Sequence, residues 1–167
     1  MASTRRKTTA QSTVPGTMEP PPDSAGIDLG PLEDLLGYRL RRAQLAVFQD
    51  FLTVMKDFDL RPAQFSVLAI IDRNPGLKQS RVSEALGINR ANFVALLDEL
   101  EQRKLARRAP APDDRRSNAL YLTPKGETFL KDAYRRLLNH HEKRIDALLG
   151  ADKAQLLVLL ERLTSLD

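Results

Sequence analysis

The chain contains no cysteine and no tryptophan. Without thiols there is no disulfide, no thiolate metal site and no cysteine nucleophile, and the expected setting is cytoplasmic. No stretch approaches the ~18 consecutive apolar residues of a membrane span, and the N-terminus lacks the apolar core of a secretory signal. A Gly-rich phosphate loop and a G-x-S-x-G nucleophile elbow are also missing. The two histidines, His140 and His141, are adjacent, with Glu142 and Asp146 nearby. Neighbours on a helix point about 100° apart, so the pair is poorly placed to share a metal, and H-E-x-x-H is absent. The expectation is no enzyme and no cofactor, with both histidines structural or solvent-facing.

What remains is a chain of 167 residues, long enough for one domain with a real core. It carries 26 Lys/Arg against 22 Asp/Glu, a net charge of +4. The placement of that excess says more than its size. Residues 73–116 hold ten Lys/Arg and six Asp/Glu, so the whole surplus falls there and the remainder is neutral. A segment that attracts phosphate needs this distribution.

Residues 78–123 have the layout of a short helix, a tight turn at Gly87, a longer helix and two strands joined by a charged loop. This is the order of a winged helix-turn-helix. In the longer helix Phe93, Leu96, Leu97 and Leu100 share one face, leaving Asn89, Arg90, Asn92, Ala95, Glu99 and Gln102 mostly on the other. Asn89 is a suitable N-cap. The shorter helix is expected to pack Val82, Ala85 and Leu86 inward. Any two-helix hairpin shares these features, so the strands decide the reading. Leu105–Arg108 and Ala119–Leu122 are strand-like, with Leu120 and Leu122 alternating with Ala119 and Tyr121, and the intervening APAPDDRRSN is too rich in proline and charge to be core. Arg107, Arg108, Arg115 and Arg116 gather on this hairpin. A guanidinium suits a narrow electronegative minor groove or a phosphate bridge. Asp114 is placed to orient Arg116 by a charge-assisted hydrogen bond. A solvated hairpin with weak surface ion pairs is the plainer alternative.

The order of elements and the run DDRRSNALYLTPKG resemble the MarR family of bacterial transcription regulators, over about residues 31–166. The family wing reads D-x-R, a short strand and L-T-x-x-G, matched here by Asp114, Arg116, Leu122, Thr123 and Gly126. Two departures stand out. Lys104 occupies a position before the first wing strand where the family commonly has glycine, and Ala91 and Asn92 replace the small hydroxyl residues frequent at the start of the recognition helix. Asn92 thereby offers an amide able to read adenine.

Residues 1–30, rich in Pro, Gly, Ser and Thr, are expected to be a disordered tail, with Arg5, Arg6 and Lys7 solvated. Residues 31–57 are expected to form an N-terminal dimerisation helix opened by Pro31, with Phe48, Phe51, Leu52 and Met55 on its apolar face. Residues 58–123 are then the winged DNA-binding region, beginning with a helix over 62–73 that buries Val67, Leu68, Ile70 and Ile71. Residues 124–167 are expected to form C-terminal dimerisation helices, one running from Thr123-Pro124 to Gly150 and one over about 152–166 that carries Leu156, Leu157, Leu160, Leu163 and Leu166. Long terminal helices with apolar stripes need a partner, and a second copy is the simplest; an intrachain bundle is the alternative. The expected fold is therefore mainly α, a winged helix-turn-helix with a two-stranded wing and long N- and C-terminal dimerisation helices.

The expected partners are double-stranded DNA and a second copy. Asn89, Arg90 and Asn92 are the candidates for the major groove, Ser80 and Arg81 for phosphate, and Arg107, Arg115 and Arg116 for the wing. The resemblance also implies a small anionic aromatic effector or its acyl-CoA thioester, with Tyr38, Arg39, Arg41 and Arg42 as candidates to hold it. Ordinary surface pairing of those arginines is the alternative. In a different class, the chain would be a helical protein-interaction module without DNA binding.

Overall fold

The computed structural model describes residues 27–111 and 114–165. Of these, the residues up to Ala46 belong to one compact unit and those from Val47 onward to a second. Instead of one helix over 31–57, a 3-10 turn at Gly30–Asp34 precedes α1, Leu36–Val54, and another 3-10 turn follows at Lys56–Phe58. Pro31 opens the first of these turns. Within the first unit the Arg39 Nε donates to the Glu33 carbonyl at 2.6 Å, fastening the turn to the start of α1.

In the second unit α2, Pro62–Arg73, starts with proline, whose missing N–H costs nothing at a first turn. Gln64 reaches back to accept from the Arg61 N–H at 3.0 Å. Then come α3, Gln79–Ala85, and α4, Arg90–Gln102, separated by Gly87 at φ +61°. Val67, Leu68 and Ile71 of α2 meet Val82 of α3 and Phe93, Leu97 and Leu100 of α4 in one core, each of them fully buried. Complete burial of such side chains stabilises by roughly 1.5–3 kcal/mol each, which is why the helix faces carry the fold. Two residues expected inside lie elsewhere: Ala85 is exposed, and Leu52 is 40% exposed. Ala85 ends a helix of only seven residues, too short to bury more than the Val82 side of its surface.

The wing is longer than expected. Strand β1 is Ala106–Ala111 and β2 is Asp114–Leu122, antiparallel, with Arg107 opposite Tyr121 and Arg108 opposite Leu120. The APAPDDRRSN run is thus mostly strand, with a bulge between Pro110 and Ala111 that lets proline sit in an irregular ladder. The simple alternation expected for residues 119–122 fails, because Ala119 and Leu120 are both buried. The cause is a third extended segment beside β2. Gly76 N–H donates to the Leu120 carbonyl at 2.8 Å, Leu120 N–H donates to the Leu77 carbonyl at 3.0 Å, and Lys78 pairs with Ala119.

The junction from α4 into β1 explains both the departure at Lys104 and the L-T-x-x-G run. Lys104 has φ +58°, a left-handed residue past the helix end. Its N–H reaches the Glu101 carbonyl at 2.8 Å and the Leu105 N–H reaches the Leu100 carbonyl at 2.9 Å. These are the paired bonds of a Schellman end, with buried Leu100 and Leu105 as its apolar contact. Lys104 therefore accepts the conformation that glycine adopts freely. Thr123 caps α5, Pro124–Arg136: its Oγ1 accepts from the Gly126 N–H at 3.0 Å and donates to the Lys104 carbonyl at 2.6 Å. Gly126 lies so close that an added Cβ would stand 1.9 Å from the Leu105 carbonyl oxygen.

Beyond α5 the helix is not regular. A π-helical turn, Leu137–Glu142, leads into α6, Lys143–Leu149, and Gly150 breaks the chain before α7, Asp152–Leu163. Leu137, His141, Ile145 and Leu149 recur every four residues and are all buried or half-buried. In a regular helix that spacing drifts about 40° per step; the wider turn absorbs the drift. His141, only 4% exposed, sits in this turn with its Nδ1 at 2.6 Å from Asp50 Oδ2 of α1, and Arg144 pairs with the same carboxylate. His140 is exposed. Lys153 donates to Asp146 at 2.6 Å and to Glu142 at 2.7 Å, bracing α7 against the preceding turn. Those hydrogen bonds, Asp146 first and then Glu142, hold its pKa above the ordinary value. No described helix is long and apolar enough to cross a membrane.

Lys104→Gly should raise stability by about 1 kcal/mol, the left-handed strain of ~1–2 kcal/mol being relieved in part against glycine's greater unfolded-state freedom. Gly126→Ala should lower it by about 3 kcal/mol, the upper end of an overpacking cost, because backbone must move. Urea titrations followed by far-UV circular dichroism measure both.

Candidate nucleic-acid interface

An open cleft of about 620 Å³ runs between α3, the Gly87 turn, the N-terminus of α4 and strand β2. Its walls include Ser80, Ser83, Asn89, Arg90, Ser117 and Asn118. Of the candidates, Ser80, Arg81, Asn89, Arg90, Asn92 and Arg107 are all exposed. The structure brings Ser80, Asn89 and Arg90 to the cleft itself, while Arg81 and Asn92 lie on the same helices outside its lining. Ser117 and Asn118 went unnoticed in the sequence, where they read only as a polar loop; the structure puts them on β2, where they line the cleft.

Each candidate has a distinct local state. Asn89 Oδ1 accepts from the Asn92 N–H at 2.9 Å, so its carbonyl is held by the helix cap while its amide N–H groups can donate elsewhere. A bidentate reading of adenine needs both a donor and an acceptor, so the cap bond competes with any such use of Asn89, whereas Asn92 enters that bond through its backbone N–H only. Arg81 pairs with Glu84 at 3.4 Å, both side chains more than 60% exposed. Such a contact is worth ~0–1 kcal/mol and releases the guanidinium readily. Arg107 lies 4.5 Å over the ring of its cross-strand partner Tyr121, which holds the cation on the outer face of the wing. Arg115, Arg116 and Asp114 belong to β2, and their side chains lie outside the described residues, as do Arg5, Arg6 and Lys7 of the tail.

Arg108 does not join the wing's outward cations. Opposite buried Leu120, it shares the inner face of the hairpin. Its guanidinium pairs with Asp98 at 2.7 Å and with Glu101. Among the effector candidates, Arg39 is tied to the Glu33 carbonyl, Tyr38 and Arg42 are half-buried, and Arg41 is exposed. All four occupy adjacent turns of α1. Among the described residues, no group of acidic, histidine or cysteine side chains is placed to hold a metal ion.

The order of helices and paired hairpin is also that of known proteins. The MarR family model matches residues 58–117. A protein of Thauera aromatica, named as a transcriptional regulatory protein for the hcr operon, is 32% identical over 146 residues, covering 87% of this chain and 88% of that one. The chain belongs to the MarR family of transcriptional regulators. Among solved structures, the transcriptional repressor CouR bound to a 23-mer DNA duplex is 47% identical, with a TM-score of 0.79, covering 83% of this chain and 98% of that one. CouR bound to p-coumaroyl-CoA is 44% identical, with a TM-score of 0.79 and coverages of 84% and 99%. These relatives are named as regulators rather than enzymes.

Asn89→Ala should lower the stability of this MarR-family chain by about 1 kcal/mol through loss of the cap, whereas Asn89→Asp keeps an acceptor and should be close to neutral. Thermal unfolding of the two variants separates the cap from any role on DNA.

Proposed function

We propose that this protein is a cytoplasmic, homodimeric transcriptional repressor that binds a pseudo-palindromic operator and releases it on binding an aromatic acid or its acyl-CoA thioester. The observation that carries the reading is the cleft between the N-terminus of α4 and strand β2, with Arg90 exposed at its edge. Asn92 stands two residues further along the same exposed end. A helix end of this kind enters a major groove while a hairpin follows the adjacent backbone. In this reading Arg90 and Asn92 address base edges, and Asn89 holds the helix end and donates from its amide. Ser80 and Arg81 hold phosphate. Arg107, Arg115 and Arg116 engage the flanking minor groove or backbone, with Asp114 orienting Arg116.

Two copies related by a two-fold axis would address half-sites about 10 bp apart. Support for a second copy comes from apolar side chains left in solvent. Leu156, Leu157, Val158 and Leu159 of α7 are 39–58% exposed, and Leu32, Leu35 and Leu36 beside the start of α1 are 41–57% exposed. For the effector, support comes from the likeness to CouR, which has been solved with p-coumaroyl-CoA. Tyr38, Arg39, Arg41 and Arg42 offer an aromatic ring and guanidinium groups suited to an aromatic thioester and its phosphates.

The test is a gel-shift titration on duplexes selected by the protein from a random-sequence pool. An inverted repeat should emerge, and affinity should fall steeply with salt through counterion release. Arg90→Ala and Arg116→Ala should each weaken binding more than tenfold with unchanged circular dichroism. Adding p-coumaroyl-CoA, but not coenzyme A alone, should free the DNA. Failure to select any sequence, or salt-insensitive association, would overturn DNA recognition; release by neither an aromatic acid nor a thioester would overturn the effector class.

A further inference from the structure

The sequence places Arg107 and Arg108 side by side on a basic hairpin, yet the structure gives them opposite roles. Arg107 faces outward over Tyr121. Arg108 turns in, with its side chain 21% exposed, and touches both helices of the reader, α3 and α4. Its Nη1 donates to Asp98 Oδ1 at 2.7 Å and to the Glu101 carboxylate on α4. Its Nη2 reaches the Val94 carbonyl of the same helix at 3.4 Å. Its Nε reaches Gln79 Oε1 at the start of α3 at 3.3 Å. The other oxygen of Glu101 accepts the Arg108 backbone N–H at 2.7 Å, so one carboxylate grips both the strand and its side chain.

Val94, Asp98 and Glu101 lie at i, i+4 and i+7, a single stripe of α4, and the guanidinium lies along it. A planar fork fixes direction as well as distance, which an ammonium does not. Two carboxylates already neutralise this cation, and pulling it away to a phosphate would strand them in a partly buried site. We propose that Arg108 is a positioning residue: with Asp98, Glu101 and Gln79 it sets the angle of the wing relative to the recognition helix, and so operator specificity, without touching DNA. This rests on the DNA-binding reading above.

Charge and geometry predict opposite signs, which makes the inference testable. Removing Asp98 and Glu101 makes the reader more positive, so electrostatics alone would tighten every duplex. Loss of the clamp would instead weaken only the duplex that needs helix and wing correctly spaced. The experiment titrates wild type, Asp98→Ala/Glu101→Ala, Arg108→Gln and Arg108→Lys against the pool-selected duplex and a scrambled duplex of equal length, at several salt concentrations.

The double variant should lose at least tenfold on the selected duplex while holding or gaining affinity for the scrambled one. Arg108→Gln should lose as much with no change in the slope of log affinity against log salt. Arg108→Lys, which keeps the charge but not the fork, should recover only part. Unchanged or tighter binding of the selected duplex by the folded double variant would overturn the proposal. So would a salt slope for Arg108→Gln lowered by about one, the signature of a lost phosphate contact. Should the double variant not fold, Arg108→Lys decides: full wild-type discrimination between the two duplexes sinks the clamp. Wild type that selects no duplex sinks the regulatory reading itself, a result separable from all of these.

Discussion

One hydroxyl group holds the reader's geometry in place. Thr123 Oγ1 receives the Gly126 N–H and gives its own proton to the Lys104 carbonyl, so the end of α4 and the start of α5 share a single atom. The Thr123 N–H also reaches the Leu105 carbonyl at 3.1 Å, and Gly126 leaves that carbonyl the room it occupies. Helix direction, hairpin direction and the next helix are thereby fixed within a few residues of backbone. The recognition helix leaves this junction at one end and is held by its Asn89 cap at the other. The L-T-x-x-G run is thus a description of packing: a cap that faces two ways, a proline where no N–H is needed, and the only residue small enough to pass a carbonyl.

Where burial follows period, the sequence was a faithful guide. Phe93, Leu97 and Leu100 on α4, and Val67, Leu68 and Ile71 on α2, lie where a 3.6-residue repeat puts them, because each face meets a single partner surface. The left-handed turn at Lys104 was legible as a place where glycine would be usual, and the helix ends there in that conformation. Pattern failed wherever a third element intervened. Ala119 is buried because residues 76–78 pair alongside β2, and nothing within the 119–122 run signals that neighbour. Arg108 turned out to face inward because it stands opposite Leu120, a matter of strand register that spacing alone does not reveal. His141 is buried, and its partner Asp50 lies far away in sequence on α1, so no local signal marked the pair.

Adjacent residues of one type therefore meet different fates, and this tempers any reading from net charge. The basic surplus of residues 73–116 includes a guanidinium spent on internal carboxylates, another stacked on a tyrosine, and Arg103, which donates to the carbonyls of Phe58 and Asp59 at 2.7 Å each and lies 5.2 Å over the Phe129 ring. Composition located the basic segment; hydrogen bonding decides how many of its cations face solvent.

The π-helical turn at Leu137–Glu142 has a reach well beyond the imidazole it buries. Each residue advances an α-helix by about 100°, so the phase of everything downstream is clocked by how many residues that turn accommodates. Removing one while the backbone path is kept would set each later residue where its predecessor now stands, so Asp146 and Gly150 would take the half-buried places of Ile145 and Leu149. Which side chains the C-terminal region shows to solvent is thus set upstream, by a single surplus residue acting as an angular offset.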